Sequence, residues 1–449
     1  MPDIEIAYNK ALDYLYGFVD YSLKRSSELA KADFNLDRMF ALMTALGEPQ
    51  TKYAIIHVAG TKGKGSICAL TASALHAAGY QTGLYTSPHL LDFCERIQIN
   101  GEPIPHGEFV ELVEQVKPAV AKIEKLTTFE IATALALLHF ARQNVDVAVI
   151  EVGLGGRLDA TNVVTPRVSV ISALSYDHMA VLGDTLTKIA GEKAGIIKQD
   201  VPVVSAPQPE EALDVLVRVA TERHAPLTLV GKDIQFTPLE HSLDGQTLSI
   251  QSNSPLPPVN RPPSTLNLQL PLLGIHQVEN AATAYAALKA SGLETSDEAV
   301  RKGFSEVKWP ARFEVARREP PVIFDSAHNQ DSFARLTRAL EDYFPGKPVY
   351  LIFGASEDKN IPGMFAEIAS KVKLLLITKS THPRALEPEQ IQPLAQQAAI
   401  PSEPVVQVGE ALRRALEMSE NDGSIVLSAG SIFVTAEVMA EWNKRKKSL

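Results

Sequence analysis

The 449 residues carry 43 Lys and Arg against 53 Asp and Glu, a formal charge of −10 at pH 7, with 45% hydrophobic and 21% charged residues. The length predicts more than one core, the composition is that of a globular chain, and the acidic balance argues against nucleic-acid backbone binding as the main business. Two cysteines, Cys68 and Cys94, cannot build a disulfide framework or a four-cysteine zinc site; with no signal-peptide pattern and no apolar run near ~20 residues, a cytoplasmic chain without a membrane partner is expected.

The first informative element is the apolar run Ala54–Ala59, which reads as a strand. It runs into Gly60-Thr61-Lys62-Gly63-Lys64-Gly65-Ser66 and then into a helical pattern over 67–78. Strand, glycine-rich turn and helix are the sequence form of a phosphate-cradling βα unit: backbone N–H groups approach phosphate oxygens, Lys64 adds charge, and the helix N-terminus favours an anion. The spacing departs from the common G-x-x-x-x-G-K-[ST] pattern, since two residues separate Gly60 from Gly63 and Gly65 precedes Ser66. The alternative is a plain tight turn.

Further strands are predicted at 145–152, ending in Glu151 and Gly153, Gly155 and Gly156, and at 167–173. Helices are predicted at 129–142, 185–197 and 209–223. Such alternation argues for a mostly parallel α/β sheet. Over 236–267 an Asp244-Gly245 signal predicts a β-hairpin, and Pro255, Pro257, Pro258, Pro262 and Pro263 an exposed loop, both at the edge of the first domain. A helix follows over 276–290. The βα rhythm then restarts with strands near 322–325, 349–353, 374–378, 405–408 and 425–428, a second α/β domain. Lys444 to Lys447 reads as a solvated tail.

Several residues have two readings. Glu151, at a strand end, suits Mg2+ beside phosphates or a plain salt bridge. His178, after Asp177, suits a metal ligand or a loop hydrogen bond. Lys193 reads on its own as a solvated helix lysine. Thr127 with Glu130 three residues on forms a capping box, while Phe129 suits the core or a stack on a flat ligand. Arg312, Asp325 and His328, near a linker and a strand end, suit nucleotide contacts or ordinary surface and capping roles.

Together these segments resemble the Mur ligase superfamily and, within it, the folylpolyglutamate synthase/dihydrofolate synthase family. The carriers are GTKGKGS at 60–66, TSPHL at 86–90, ERIQING at 95–101, EVGLGGRLDATN at 151–162, DH at 177–178, EKAGIIK at 192–198, HQVENA at 276–281, WPAR at 309–312 and DSAHN at 325–329. FGASEDKN at 353–360 and the segment 381–384 extend them. The resemblance implies a P-loop Mur-ligase-like ATPase domain over 1–305 with a mostly parallel sheet, and a smaller C-terminal Rossmann-like α/β domain over 306–449. It implies ATP-dependent joining of L-glutamate to a folate carboxylate through an acyl phosphate, with dihydropteroate as a further acceptor.

By the same resemblance, Thr61, Lys62, Gly63, Lys64, Gly65 and Ser66 hold ATP, with Asn280, Arg312 and Asp325 as further contacts. Ser87 and Glu151 bind a first Mg2+. Glu151, His178 and a CO2-derived carbamate on Lys193 bind a second. Catalytic roles fall on Lys64, Glu151, His178, Lys193 and His328. The pterin end of the substrate is placed at Asp33, Phe34 and Asn35, at Thr127, Thr128, Phe129 and Glu130, and at Leu158, Asp159 and Ala160. A monomer acting on small molecules, without nucleic acid or membrane, is implied. Lys62 replaces an Asn common in the first motif, Ser326 a Gly in the DSAHN motif, and Asn35 a Gly at the pterin positions. The nearest rival is a cell-wall Mur ligase, for which the 59 residues before Gly60 are too few to form the usual N-terminal domain; a nucleotide-binding switch is a second.

Overall fold

In the computed structural model, which describes residues 2–20, 34–252 and 265–446, the chain forms two units. The first takes in the chain up to Leu239 with Thr247–Leu270 and Gln277–Val307; the second takes in Glu240–Gln246, Pro271–His276 and the chain from Lys308 on. Asp33, the five prolines of 255–263 and Lys447 lie outside the described residues.

The first unit is organised by strands β1 (Ala54–Ala59), β2 (Thr82–Tyr85), β3 (Ile97–Ile99), β4 (Glu102–Pro103), β5 (Val147–Glu151), β6 (Val168–Ile171), β7 (Val203–Ser205) and β8 (Leu227–Leu229). Their order is β4-β3-β2-β5-β1-β6-β7-β8, parallel throughout except for the antiparallel β2–β3 and β3–β4 pairs. β1 and β5 are apolar on both faces because helices cover both sides of the sheet, and every residue of β5 is buried. The helix Lys64–Ala77 begins three residues before the predicted start and carries a buried face of Ile67, Leu70 and Leu75. It approaches the helix Asp297–Glu306 so closely that a Cβ at Gly303 would lie 2.4 Å from Ala74 Cα. Ser73 Oγ closes that contact by donating to the Gly303 carbonyl at 2.6 Å.

The predicted hairpin is present as β9 (Ile234–Ser242) and β10 (Gly245–Ser252), joined by β11 (Thr265–Leu270) in a separate three-stranded sheet. Its turn packs with the second unit, where Arg318 pairs with Asp244, so the hairpin does not simply extend an edge of the first sheet.

The second unit holds β12 (Glu314–Arg318), β13 (Pro321–Phe324), β14 (Val349–Phe353), β15 (Val372–Ile377), β16 (Ser402–Pro404) and β17 (Ile425–Ala429), in the order β12-β13-β17-β14-β15-β16. Only β12 runs antiparallel to its neighbour. The strand expected at 405–408 is instead the short edge strand β16. Val405 N–H makes one last bond to the Ile377 carbonyl at 2.7 Å, and the helix Val408–Asp422 begins at once. The expected basic tail is helical as far as it is described, since Lys444 to Lys446 end the helix Ile432–Lys446. Among the described residues no helix is long and apolar enough to cross a membrane.

Candidate active site

The turn after β1 is shaped by two glycines that no other residue could replace cheaply. Gly60 has φ +146°, and a Cβ there would lie 1.8 Å from Ser172 Oγ; Gly63 has φ +88°, and its Cβ would lie 2.2 Å from Asn280 Oδ1. Asn280, on the helix Ile275–Ala290, is thereby set against the turn, steadied by its Nδ2 donating to Gln277 Oε1 at 2.9 Å. The backbone N–H groups of Thr61 and Lys62 are already spent on the Ala173 carbonyl, at 3.1 and 3.0 Å. The open donors therefore sit later than the whole 61–66 span implies. The helix's first bond runs from Ile67 N–H to the Gly63 carbonyl at 2.9 Å, so the N–H groups of Lys64, Gly65 and Ser66 lie ahead of the ladder at its positive end.

Two lysines converge on one carbonyl of this turn. Lys64 Nζ lies 3.3 Å and Lys193 Nζ 2.8 Å from the Gly60 oxygen, and Lys64 also lies 3.9 Å from Glu151 Oε1. Lys193 was read from the sequence alone as a solvated helix lysine. It is only 5% exposed, on the last turn of the helix Leu186–Ala194. Burial first, and then the positive charge of Lys64, pull its pKa down to about 7. Glu151 ends β5, buried, and its Oε2 accepts from Ser87 N–H at 3.2 Å. Lys62 leans away, its Nζ 3.2 Å from Asp177 Oδ2. His178 sits at the rim, half-exposed, with φ +50° at the start of the short helix Met179–Leu182 and 3.9 Å from Asp177 Oδ1.

What buries Lys193 is the glycine-rich loop after β5. A Cβ at Gly156 would lie 2.9 Å from the Glu192 carbonyl, and one at Gly195 would lie 2.4 Å from Arg157 Cα. Arg157 N–H donates to Glu192 O at 2.8 Å, and Asn162 Nδ2 to Gly195 O at 3.1 Å. Two motifs far apart in sequence thus form one packed unit around the lysine.

The residues placed at the pterin end are mostly committed to the fold. Thr127 and Glu130 form the predicted capping box: Thr127 Oγ1 accepts from Glu130 N–H at 3.2 Å, and Glu130 Oε2 accepts from Thr127 N–H at 2.7 Å. Glu130 also takes Arg38 Nε at 3.1 Å, and Thr128 Oγ1 donates to Leu15 O at 2.9 Å. Asp159 is buried with its carboxylate occupied by Leu154 N–H, Thr161 N–H and Thr161 Oγ1 at 2.8, 3.0 and 2.5 Å. Thr161, having given its hydrogen to Asp159, accepts from His57 Nε2 at 2.8 Å, so the loop is tied to β1. Ala160 joins the core and Leu158 is half-buried. Asn35 Oδ1 accepts from Asp37 N–H at 2.6 Å at the start of a helix, and Phe34 is half-buried. Phe129 is the partly exposed flat surface of this group, its ring against Gly153, two residues beyond Glu151.

In the second unit, Asp325 follows β13, and its two oxygens accept from Phe313 and Ala327 N–H, both at 2.7 Å. Burial raises its pKa, opposed by those two bonds and by the charge of Arg312. Arg312 Nη1 donates to Ser326 Oγ at 2.9 Å, so the serine that replaces glycine in DSAHN holds the guanidinium. His328 Nδ1 lies 2.8 Å from the Ser326 carbonyl, an acceptor only, so the proton is on Nδ1. A cluster that sequence reasoning missed sits in the FGASEDKN segment: Asp358 lies 3.1 Å from Lys359 and 3.6 Å from Arg384, all three mostly buried. One carboxylate thus meets two cations, a juxtaposition that sequence spacing of 26 residues hides.

Residues 58–288 match the Mur ligase middle domain, and residues 311–432 match the family described as Mur ligase, glutamate ligase domain. A dihydrofolate synthase/folylpolyglutamate synthase of Bacillus subtilis is 34% identical over 443 residues, covering 96% of this chain and 98% of that protein. The folylpolyglutamate synthase of Mycobacterium tuberculosis, solved in complex with ADP and AMPPCP, superposes with a TM-score of 0.85 at 32% identity over 94% of this chain and 98% of that one. Escherichia coli FolC in complex with DHPP and ADP superposes at 0.84, with 32% identity over 98% of each chain.

Proposed function

This chain belongs to the folylpolyglutamate synthase/dihydrofolate synthase family of Mur ligases, and from that premise we propose that it is an ATP-dependent ligase joining L-glutamate to the carboxylate of a folate, with dihydropteroate as a second acceptor. The observation that carries the reading is the turn itself: unspent N–H groups at a helix N-terminus, two lysines on the Gly60 carbonyl, and the buried Glu151 beside them. Such a turn takes the phosphates of ATP, with Lys64 offsetting charge as the acceptor carboxylate attacks the γ-phosphorus. The carboxylate oxygen forms the new P–O bond, ADP leaves, and the amine of glutamate then displaces phosphate from the acyl phosphate. Arg312, Asp325 and His328 are assigned to ATP in this reading, and the positive Lys359–Arg384 pair to a carboxylate of glutamate.

The donor set fits Mg2+ in part as it stands. Glu151 and the Ser87 hydroxyl are hard oxygen ligands, whereas His178 Nε2 is a softer nitrogen donor that suits Mg2+ less well. Mg2+ bound there would neutralise phosphate oxygens and stabilise the transferring phosphoryl group. Lys193 fits only if modified, because an ammonium beside a divalent cation is repelled by roughly 8 kcal/mol at ~4 Å with an effective dielectric of ~20. Its pKa of about 7 makes the neutral amine available to CO2, and the carbamate replaces that repulsion with an oxygen ligand. Phosphate release measured in parallel with tetrahydrofolate, dihydropteroate and a UDP-muramyl acceptor tests the assignment. Release should require both L-glutamate and a pteroyl acceptor. Release with the UDP-muramyl acceptor alone, or indifferent to glutamate, would overturn it.

A further inference from the structure

Away from the nucleotide turn, three side chains of different chemistry meet where three elements join. Asp92 caps the short helix Phe93–Arg96, Cys94 lies within it, and His106 opens the helix His106–Val120. One ligand atom from each, a carboxylate oxygen, the thiol sulfur and an imidazole nitrogen, falls within 4.8 Å of the others. We propose that Asp92, Cys94 and His106 form a divalent-metal site for an ion of the Zn2+ class.

The surroundings aim these atoms inward. Asp92 Oδ1 is taken by Tyr8 Oη at 2.9 Å and Cys94 N–H at 2.7 Å, which turns Oδ2 toward His106 Nε2 at 3.0 Å. The other imidazole nitrogen, Nδ1, lies 2.9 Å from Glu5 Oε1, and the Tyr8 ring stacks on the imidazole at 3.7 Å and 6°. A carboxylate behind the distal nitrogen is the arrangement that orients a metal-bound histidine and raises its basicity. With metal–ligand bonds of ~2.0–2.3 Å, a tetrahedral ion holds its donors roughly 3.3–3.6 Å apart. The oxygen and nitrogen are already near that spacing, and the sulfur has about an ångström to close.

Thiolate with imidazole and a single carboxylate selects zinc-like ions over Mg2+. On binding, the thiol proton and the Nε2 proton pass to solvent and three metal–protein bonds form, so carboxylate and thiolate together balance the charge of the ion. Burial holds the Cys94 thiol up at about 12 in the absence of an ion, so the cation itself must draw off that proton. The side chains of Asp92 and His106 are 39% and 29% exposed, which leaves an entry path and room for water at a fourth position. The count of two cysteines excludes only a four-cysteine site; one thiol with mixed partners passes that filter unseen.

The test uses the full-length protein, stripped with a chelator, in excess Mg2+ to fill oxygen-ligand sites, and titrated with Co2+. One equivalent should produce a thiolate-to-cobalt charge-transfer band that added Zn2+ abolishes. The band should persist in Cys68→Ser and vanish in Cys94→Ser, with His106→Gln weakening Co2+ affinity at least tenfold. Because Cys68 and Cys94 are the only thiols, persistence in Cys68→Ser identifies the ligand even if a Cys94 variant fails to fold. No band with the wild-type protein, or a band lost in Cys68→Ser and kept in Cys94→Ser, would overturn the site.

Discussion

Two turns, one in each unit, carry the chain from the end of a parallel strand into a helix, and they are built in opposite ways. The turn after β1 has no side-chain cap: its N-cap residue is Gly63, and the first N–H groups of the helix lie open. The turn after β13 closes on itself. Asp325 takes two backbone N–H groups, and Asn329 and Ser332 cap the following helix reciprocally. An uncapped helix start is a cost that a bound anion recovers, whereas a self-capped one is paid within the fold. In the proposed reading the first turn receives phosphate through its backbone, and the second contributes side chains, Arg312 and His328.

The sharpest way to break this comparison is at the lysine that steadies the open turn. Lys193→Ala should lower ligation on the order of 10^3-fold, the loss typical of removing one preorganised electrostatic group, while circular dichroism shows a folded chain. Lys193→Arg should do no better, since arginine keeps the charge and forms no carbamate, and added acetate should restore part of the alanine variant's turnover. Wild-type enzyme in CO2-depleted buffer should lose activity and regain it with bicarbonate. A fully active Lys193→Arg enzyme would remove the carbamate while leaving the turn in place.

The next effect is on stability, and it concerns the strand that leads into the open turn. His57 on β1 is wholly buried, and desolvation lowers its pKa to about 3. Between pH 3 and 6.5 the unfolded chain binds a proton that the folded chain does not. Stability is therefore fully present above about 6.5 and falls as the pH drops, by ~1.4 kcal/mol per pH unit from this group. Urea midpoints from pH 7 to pH 4 should show a shallower slope in His57→Gln than in the wild type; equal slopes would mean that His57 is already charged when folded.

Gly63→Ala should have a smaller effect, aimed at the nucleotide. The added Cβ at φ +88° pushes on Asn280, so KM for ATP should rise about tenfold, a loss of ~1.4 kcal/mol. Gly79→Ala is the control. Gly79 also has positive φ, +96°, but nothing lies within 4 Å of its Cβ, so strain alone should leave KM for ATP unchanged.

How much of this could be read from the sequence follows from the range of the forces involved. β1 and its turn were legible because an apolar run and clustered glycines are local signals, and so was the Thr127–Glu130 capping box, whose partners lie three residues apart. The burial of Lys193 was not, since helical spacing near it says nothing of a loop 36 residues upstream that covers it. Asp159 was placed at the pterin end by resemblance alone; its bonds to Leu154 and Thr161, and the link through Thr161 to His57, appear only in three dimensions. The strand expected at 405–408 failed for a boundary reason: β-branched residues persist past the point where the edge strand ends and the next helix starts.

The smallest prediction tests the closed turn. Asn329 Oδ1 accepts from Ser332 N–H at 3.0 Å, and Ser332 Oγ lies 3.0 Å from Asn329 N–H. Ser332 Oγ also takes His328 N–H at 3.0 Å, so this one hydroxyl ties the cap to the histidine. Removing the cap by Asn329→Ala should cost ~1 kcal/mol in chemical denaturation, the usual worth of an N-cap side chain. Asn329→Asp keeps the acceptor and adds a charge favourable at the helix N-terminus, so it should cost less than the alanine variant or nothing. No matching substitution exists at the other turn, where Gly63 has no side chain to remove. If Asn329→Ala left stability unchanged, the second turn would not be held by its own cap, and the contrast between a turn closed by side chains and one left open for phosphate would fail on the closed side.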